Sequence, residues 1–287
     1  MLRREWKIVG RTLAVGGRTL VMGILNVTPD SFSDGGRFFD MQTAVARAEE
    51  MVVEGADILD VGGESTRPGA APVSVAEEIR RVVPVVEAVA HNIAVPISVD
   101  TTKAEVARIA LQSGAEIIND ISGLRFDSRL ADEAARAGAG LILMHSRGTL
   151  ETMHNLEPVA DVLTDVIVSL HRSIAEAERR GVERESIALD PGIGFSKSAE
   201  QNVELLANLS KLASEFAEYP ILVGTSRKRF IGALLGGVPA AERLHGTMAT
   251  VTAAVLRGAA IVRVHDVLAA VQTVRVADAI KAVTGDG

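Results

Sequence analysis

The 287-residue chain contains no cysteine, so disulfides and thiolate-bound metals are excluded. Aromatic residues are scarce, at 3% against 47% hydrophobic overall, and the core must therefore be built from Val, Ile, Leu and Ala. That bias suits parallel sheets buried on both faces. No apolar run approaches the roughly 18 residues of a membrane span. The start, Met1-Leu-Arg-Arg-Glu-Trp-Lys7, is charged and lacks the apolar h-region of a secretory signal. Positive charge is scattered and the formal net charge is −7, which argues against a nucleic-acid binder. A soluble cytoplasmic protein is expected.

What the chain does have is a strict alternation of short apolar runs and amphipathic segments. The runs are 20–25, 58–61, 97–99, 116–118, 141–144, 187–189, 221–223 and 261–264, each of strand length and each followed by polar or Gly-rich residues,. Helical patterns lie between them, as at 43–54, 75–90, 103–113, 161–180 and 199–212. Thr102 and Ser198 are candidate N-caps, and Gly55, Gly114, Gly138 and Gly181 are candidate residues just past helix ends,. Eight strands and eight helices at about 34 residues per unit predict a TIM (β/α)8 barrel, since right-handed βα connections repeated eight times close most simply that way. A doubly wound open sheet is the alternative. Residues 1–17 carry the alternation and Gly punctuation of a short β-hairpin plugging the barrel's bottom, and 18–283 read as the barrel, all within one domain spanning 1–287. Long loops are expected at 27–40, 62–74, 146–158 and 224–241, lengths that are usually functional in a compact domain.

The strands run into Asn26, Asp60, Asp100, Asn119, His145, Asp190, Ser226 and His265. In a barrel such positions converge on the carboxyl-terminal face. One Asp or Asn there could simply cap the next helix; eight polar residues in register ask for a ligand. The first strand is followed by a long polar loop, in Asn26-Val-Thr-Pro-Asp-Ser-Phe-Ser-Asp-Gly-Gly36. Asp60-Val-Gly-Gly-Glu-Ser-Thr-Arg-Pro-Gly69 offers backbone N–H groups and a guanidinium fork suited to phosphate or carboxylate,. Arg263 and His265 are two apart and share one side of their strand,. A cation on an otherwise apolar strand is expensive unless it meets an anion, which points to phosphate. His145 and His154 fit no usual zinc spacing: the first is read as packing beside the pocket, the second as loop surface. His91, His171 and His245 have no partner evident in the sequence.

These two long motifs, with Ser98-Val-Asp-Thr101, Asn119-Asp-Ile-Ser-Gly123, Asp190-Pro-Gly-Ile-Gly-Phe195, Ser226-Arg-Lys228 and Arg263-Val-His-Asp266, resemble bacterial dihydropteroate synthases over about residues 18–283. The resemblance implies a magnesium-dependent transferase of folate biosynthesis. It would join p-aminobenzoate to 6-hydroxymethyl-7,8-dihydropterin pyrophosphate, giving 7,8-dihydropteroate and pyrophosphate. It further implies a pterin site of Asp100, Asn119, Met144, Asp190 and Lys228, and a pyrophosphate site of Asn26, Arg67, Arg263 and His265 with Mg2+ at Asn26. A p-aminobenzoate slot would be formed by Phe32, Thr66, Pro68, Phe195 and Ser226, with Lys228 beside it. Asn26, Asp34, Asp100, Lys228, Arg263 and His265 would carry the catalysis. The unaltered loop around Phe32 implies sulfonamide sensitivity, and the resemblance also implies a homodimer through late helices, for which 251–256 is apolar enough. A pterin-dependent methyltransferase domain and an inactive pterin-binding paralogue are the competing readings.

Overall fold

The computed structural model describes residues 4–27, 36–66, 70–153 and 155–284. Strands β1 (Arg4–Ile8) and β2 (Arg11–Val15) form an antiparallel hairpin. Its turn is made possible by Gly10, at φ +69°, a left-handed conformation in which only a residue without Cβ is unstrained.

Eight parallel strands follow: β3 (Leu20–Asn26), β4 (Ile58–Gly62), β5 (Ile97–Asp100), β6 (Ile117–Asp120), β7 (Gly140–Met144), β8 (Ile187–Asp190), β9 (Leu222–Val223) and β10 (Ile261–Val264). Their order in the sheet is β8-β7-β6-β5-β4-β3-β10-β9. A parallel bridge between Leu189 and Ile221 joins the two ends, supported by Leu189 N–H donating to Pro220 O at 2.9 Å. The sheet is therefore a closed barrel, not the open alternative.

Outside it lie α1 (Gly36–Glu54), α2 (Val75–Asn92), α3 (Ala104–Gln112), α4 (Arg129–Ala137), α5 (Val162–Arg179), α6 (Ala199–Ala207), α7 (Leu209–Glu215), α8 (Arg229–Leu234), α9 (Leu244–Leu256) and α10 (Val267–Thr284). Ten helices among the described residues serve eight units, because two units hold two each. The helix expected over 199–212 is interrupted at Asn208, whose side chain donates to Glu204 O at 2.9 Å, closing α6. The long loops expected at 27–40 and 224–241 are shortened by the start of α1 and by α8. Ser198 caps α6 through a full capping box with Gln201,. Thr102 does not cap: α3 starts after Lys103, and it is Thr101 Oγ1 that accepts from Lys103 N–H at 3.2 Å. Gly55, Gly114, Gly138 and Gly181 all adopt positive φ past helix ends.

Strand alternation sorts the side chains into two cores. Outward residues such as Val21, Leu59, Val61, Ile118 and Leu189 pack under the helices. Inward residues Met22, Ile58, Ile117, Ile142, Ala188, Leu222 and Ile261 form a floor, sealed from below by Trp6, Ile8 and Val15 of the hairpin. Trp6 is fully buried and its indole N–H donates to Ser186 O at 3.0 Å.

Candidate active site

Two residues further along each strand the same face recurs. Ile58 is followed by Asp60, Ile117 by Asn119, Ile142 by Met144, Ala188 by Asp190 and Ile261 by Arg263. An apolar floor is thus overlaid by a layer of acids, an amide, a thioether and a guanidinium. Asp60 is the third of five residues in β4, inside the barrel rather than at the strand's end.

Arg263 ties this layer together. Its Nε donates to Asp60 Oδ2 at 2.6 Å and a terminal nitrogen donates to Asp100 Oδ2 at 2.6 Å. Asn119 Nδ2 donates to the same Asp60 oxygen at 3.1 Å. The anions that this cation meets within the chain are therefore two carboxylates, and their field raises its pKa against the effect of burial. Burial raises the pKa of Asp100 above the usual carboxylate range, opposed by Arg263 and reinforced by Asp60,.

Asp190 ends β8, one short strand away from the strand of Arg263. Burial pushes its pKa up, while Lys228 and the Gly192 N–H, 2.7 Å from Oδ1, pull it down. Lys228 donates to Ile193 O and lies 4.3 Å above the ring of Phe195, a cation–π contact,. Burial depresses its pKa to about 8. Phe195 and Met144 belong to one apolar cluster with Ile121 and Met153, which walls this side of the cavity. After β9, Ser226 Oγ accepts from His265 N–H at 3.1 Å and lies 2.9 Å from His265 Nδ1. The left-handed Arg227, φ +56°, is anchored by Asp266 at 3.0 Å.

Asn26, Thr66, Asp100, Asn119, Met144, Asp190, Phe195, Ser226, Lys228, Arg263 and His265 all lie at strand ends or in the loops after them. Phe32, Asp34, Arg67, Pro68 and His154 lie outside the described residues. His145 packs behind the cavity, buried, with Asp165 and Lys197 as partners. His171 has a partner after all, Glu215 at 2.8 Å. Asp60, one of the eight polar residues expected at the strand ends, carries no role implied by the resemblance; its place beside Arg263 is set by pairing across strands. A separate cavity of about 420 Å³ opens at the other end of the barrel beside the hairpin. Its charged lining residues Lys7 and Arg11 are already paired with Glu183 and Glu116.

A family model described as pterin binding enzyme matches residues 22–265. The chain belongs to the pterin binding enzyme family. A dihydropteroate synthase of Synechocystis is 50% identical over 273 residues, covering 95% of this chain and 94% of its own. Among solved structures, the Yersinia pestis dihydropteroate synthase with a sulfonamide drug is 42% identical at a TM-score of 0.89, covering 97% of this chain and 99% of that one. The Xanthomonas albilineans dihydropteroate synthase with 4-aminobenzoic acid is 44% identical at a TM-score of 0.88, covering 96% and 98%. Within the pterin binding enzymes the chain thus groups with the dihydropteroate synthases, which are transferases.

Proposed function

We propose that this pterin binding enzyme condenses p-aminobenzoate with 6-hydroxymethyl-7,8-dihydropterin pyrophosphate, releasing pyrophosphate and forming 7,8-dihydropteroate. The observation that carries the reading is the polar layer above the barrel floor, in which Asp100, Asn119 and Asp190 face Lys228 and Arg263. The amino-oxo edge of a pterin presents adjacent N–H donors, and the Asp190 carboxylate accepts two of them. Asn119 and Asp100 complete the edge, Met144 packs on the ring, and Lys228 donates to the ring carbonyl. Each buried donor left unpaired by a different heterocycle would cost about 1–3 kcal/mol, which selects pterins.

The pyrophosphate is met by Asn26, Arg67, Arg263 and His265. Two of the Arg263 nitrogens hold it rigidly against Asp60 and Asp100, so its fork is pre-organised rather than ordered by substrate,. Among the described residues no group of three or more carboxylates or histidines could hold a metal. The half-buried amide of Asn26 at the end of β3 fits Mg2+, which uses few protein ligands and many phosphate oxygens. Held there, Mg2+ would supply positive charge against the leaving pyrophosphate. The slot for p-aminobenzoate runs from Phe32, Thr66 and Pro68 to Phe195, with Ser226 at its carboxylate. An arylamine is unprotonated at neutral pH, so its attack on the methylene carbon needs no strong base; Asp34 and its loop shield the carbon from water. Sulfonamides compete for this slot.

The exposed apolar residues Leu268, Val276, Ile280 and Val283 of α10 support a homodimer through that helix. Within the apolar stretch 251–256, Val251, Ala254 and Val255 are already buried in the enzyme's own core. No helix of the described residues is long and apolar enough to cross a membrane, in keeping with a cytoplasmic, single-domain enzyme. The deciding assay mixes purified protein, Mg2+ and both substrates and measures pyrophosphate release. Release is expected to need p-aminobenzoate, to stop on chelation with EDTA and to stop in Asp190→Ala. Release without a coupled product overturns the reading.

A further inference from the structure

The turn between β8 and α6 delivers Asp190 and Phe195 to the cavity, and it is built from unfavourable backbone. Gly192, Gly194 and Ser196 all have positive φ, Ser196 at +54° without the freedom of glycine,. Such a turn holds one shape only if its surroundings over-determine it.

Lys197 does so from behind. Its ammonium lies 2.9 Å from Gly192 O, 3.0 Å from Phe195 O and 2.8 Å from His145 Nδ1. Burial lowers its pKa to about 7, with Asp190 acting against that fall; in its protonated form the group has three protons and no acceptor, so all three are committed and Nδ1 must accept. The imidazole proton then resides on Nε2, 3.1 Å from Asp165 Oδ2, to which it donates. His145 is buried, and Lys197, Arg147 and Arg125 repel a second proton, which drives its pKa to about 2 and keeps the ring neutral. Asp165 is the carboxylate that faces it. A single tautomer, fixed at both nitrogens, links helix α5 to the turn.

The turn is tied to its neighbours again by Ser196, whose hydroxyl accepts from Arg147 N–H and donates to Arg147 O, both at 2.9 Å. What it orients is the functional face. Gly192 N–H aligns the Asp190 carboxylate, Ile193 O receives Lys228, and the Phe195 ring lies under that ammonium.

We infer that Lys197 is a positioning residue: a buried three-way clamp that, with a single tautomer of His145, shapes the turn carrying Asp190 and Phe195 and so sets affinity for both ring substrates without touching either. The inference rests on the synthase reading for the p-aminobenzoate half and on pterin binding alone for the rest. Lys197→Met keeps the aliphatic stem and removes the donors. It is expected to raise KM for the pterin pyrophosphate and for p-aminobenzoate each about tenfold, with kcat changed less than threefold. His145→Gln offers an amide oxygen to Lys197 and an amide N–H to Asp165, and is expected to stay within threefold of wild type, whereas His145→Leu reproduces the Lys197→Met profile. Calorimetric titration with the pterin pyrophosphate gives the pterin half without turnover. A wild-type protein that binds pterin but forms no product sinks the synthase reading and leaves that titration to judge the clamp. Unchanged KM values and pterin affinity in folded Lys197→Met, or in folded His145→Leu where Lys197→Met does not fold, overturn the clamp. So does a fall confined to kcat.

Discussion

Arg263 Nε and Asp60 Oδ2 lie 2.6 Å apart, joining the last barrel strand to the second across β3 at the level where floor gives way to cavity. Asp60 is wholly enclosed, so the pair is one of shape as much as charge. Removing one partner of a buried ion pair leaves the other charge uncompensated, at about 3–5 kcal/mol. Asp60→Ala is therefore expected to lower the unfolding free energy by up to that much, less what Asp100 still compensates, read as a lower urea midpoint at unchanged m,. It should also weaken turnover of the pterin pyrophosphate, because Arg263 loses half its support. Chemical denaturation with the m-value compared checks it. In Asp60→Ala/Arg263→Met the loss should be smaller than the sum of the single losses.

Burial brings Lys228 to about 8 from an ordinary 10.5, and its proposed task requires the ammonium. The kcat/KM for the pterin substrate is expected to fall as pH rises through about 8. Stability moves the other way. Between about 8 and 10.5 the unfolded chain holds this proton and the folded one does not, so the contribution of Lys228 to stability rises with pH across that window,. A pH–rate profile beside a pH series of urea melts separates the two. Lys228→Arg should remove the basic limb of the first, at a lower maximum.

Trp6 seals the floor from below and is the chain's one tryptophan. Trp6→Ala should cost about 3–5 kcal/mol of stability through the cavity it leaves. KM for either substrate should hardly change, because the residue lies beneath the floor and the site above it. A matching loss of affinity would mean that the two ends of the barrel are coupled.

On α10, Val276 and Ile280 are one helical turn apart and both exposed. If the homodimer is formed there, Ile280→Asp should convert it to monomer in sedimentation velocity while leaving the far-UV circular dichroism unchanged. A wild-type monomer at micromolar concentration overturns the dimer itself.

Much of this was legible in the sequence because burial on both faces leaves parallel strands few options. Ile117 and Asn119, or Ala188 and Asp190, announce a polar layer by their spacing alone. The motif following Asp190 likewise showed its glycines. What the sequence hid was pairing across strands. Nothing local to Arg263 indicates that its fork closes on Asp60 and Asp100, 203 and 163 residues away. Lys197 reads as an ordinary loop lysine until the fold brings His145 to it. The interruption at Asn208 was equally invisible, since the apolar spacing continues across it and only the side chain's turn back to Glu204 O ends the helix.

The barrel is closed along one weak line. β9 has two residues, and its link to β8 is a single bridge between Leu189 and Ile221. The two lips of that line continue directly into Asp190 on one side and Ser226 and Lys228 on the other. A pterin held by Asp190 and Lys228, as proposed, would therefore work as a clasp, fastening the cylinder where its own backbone fastens it least. Amide protons along the lips should exchange fastest in the empty barrel and slow most on loading, making substrate a structural member of the wall as well as its cargo.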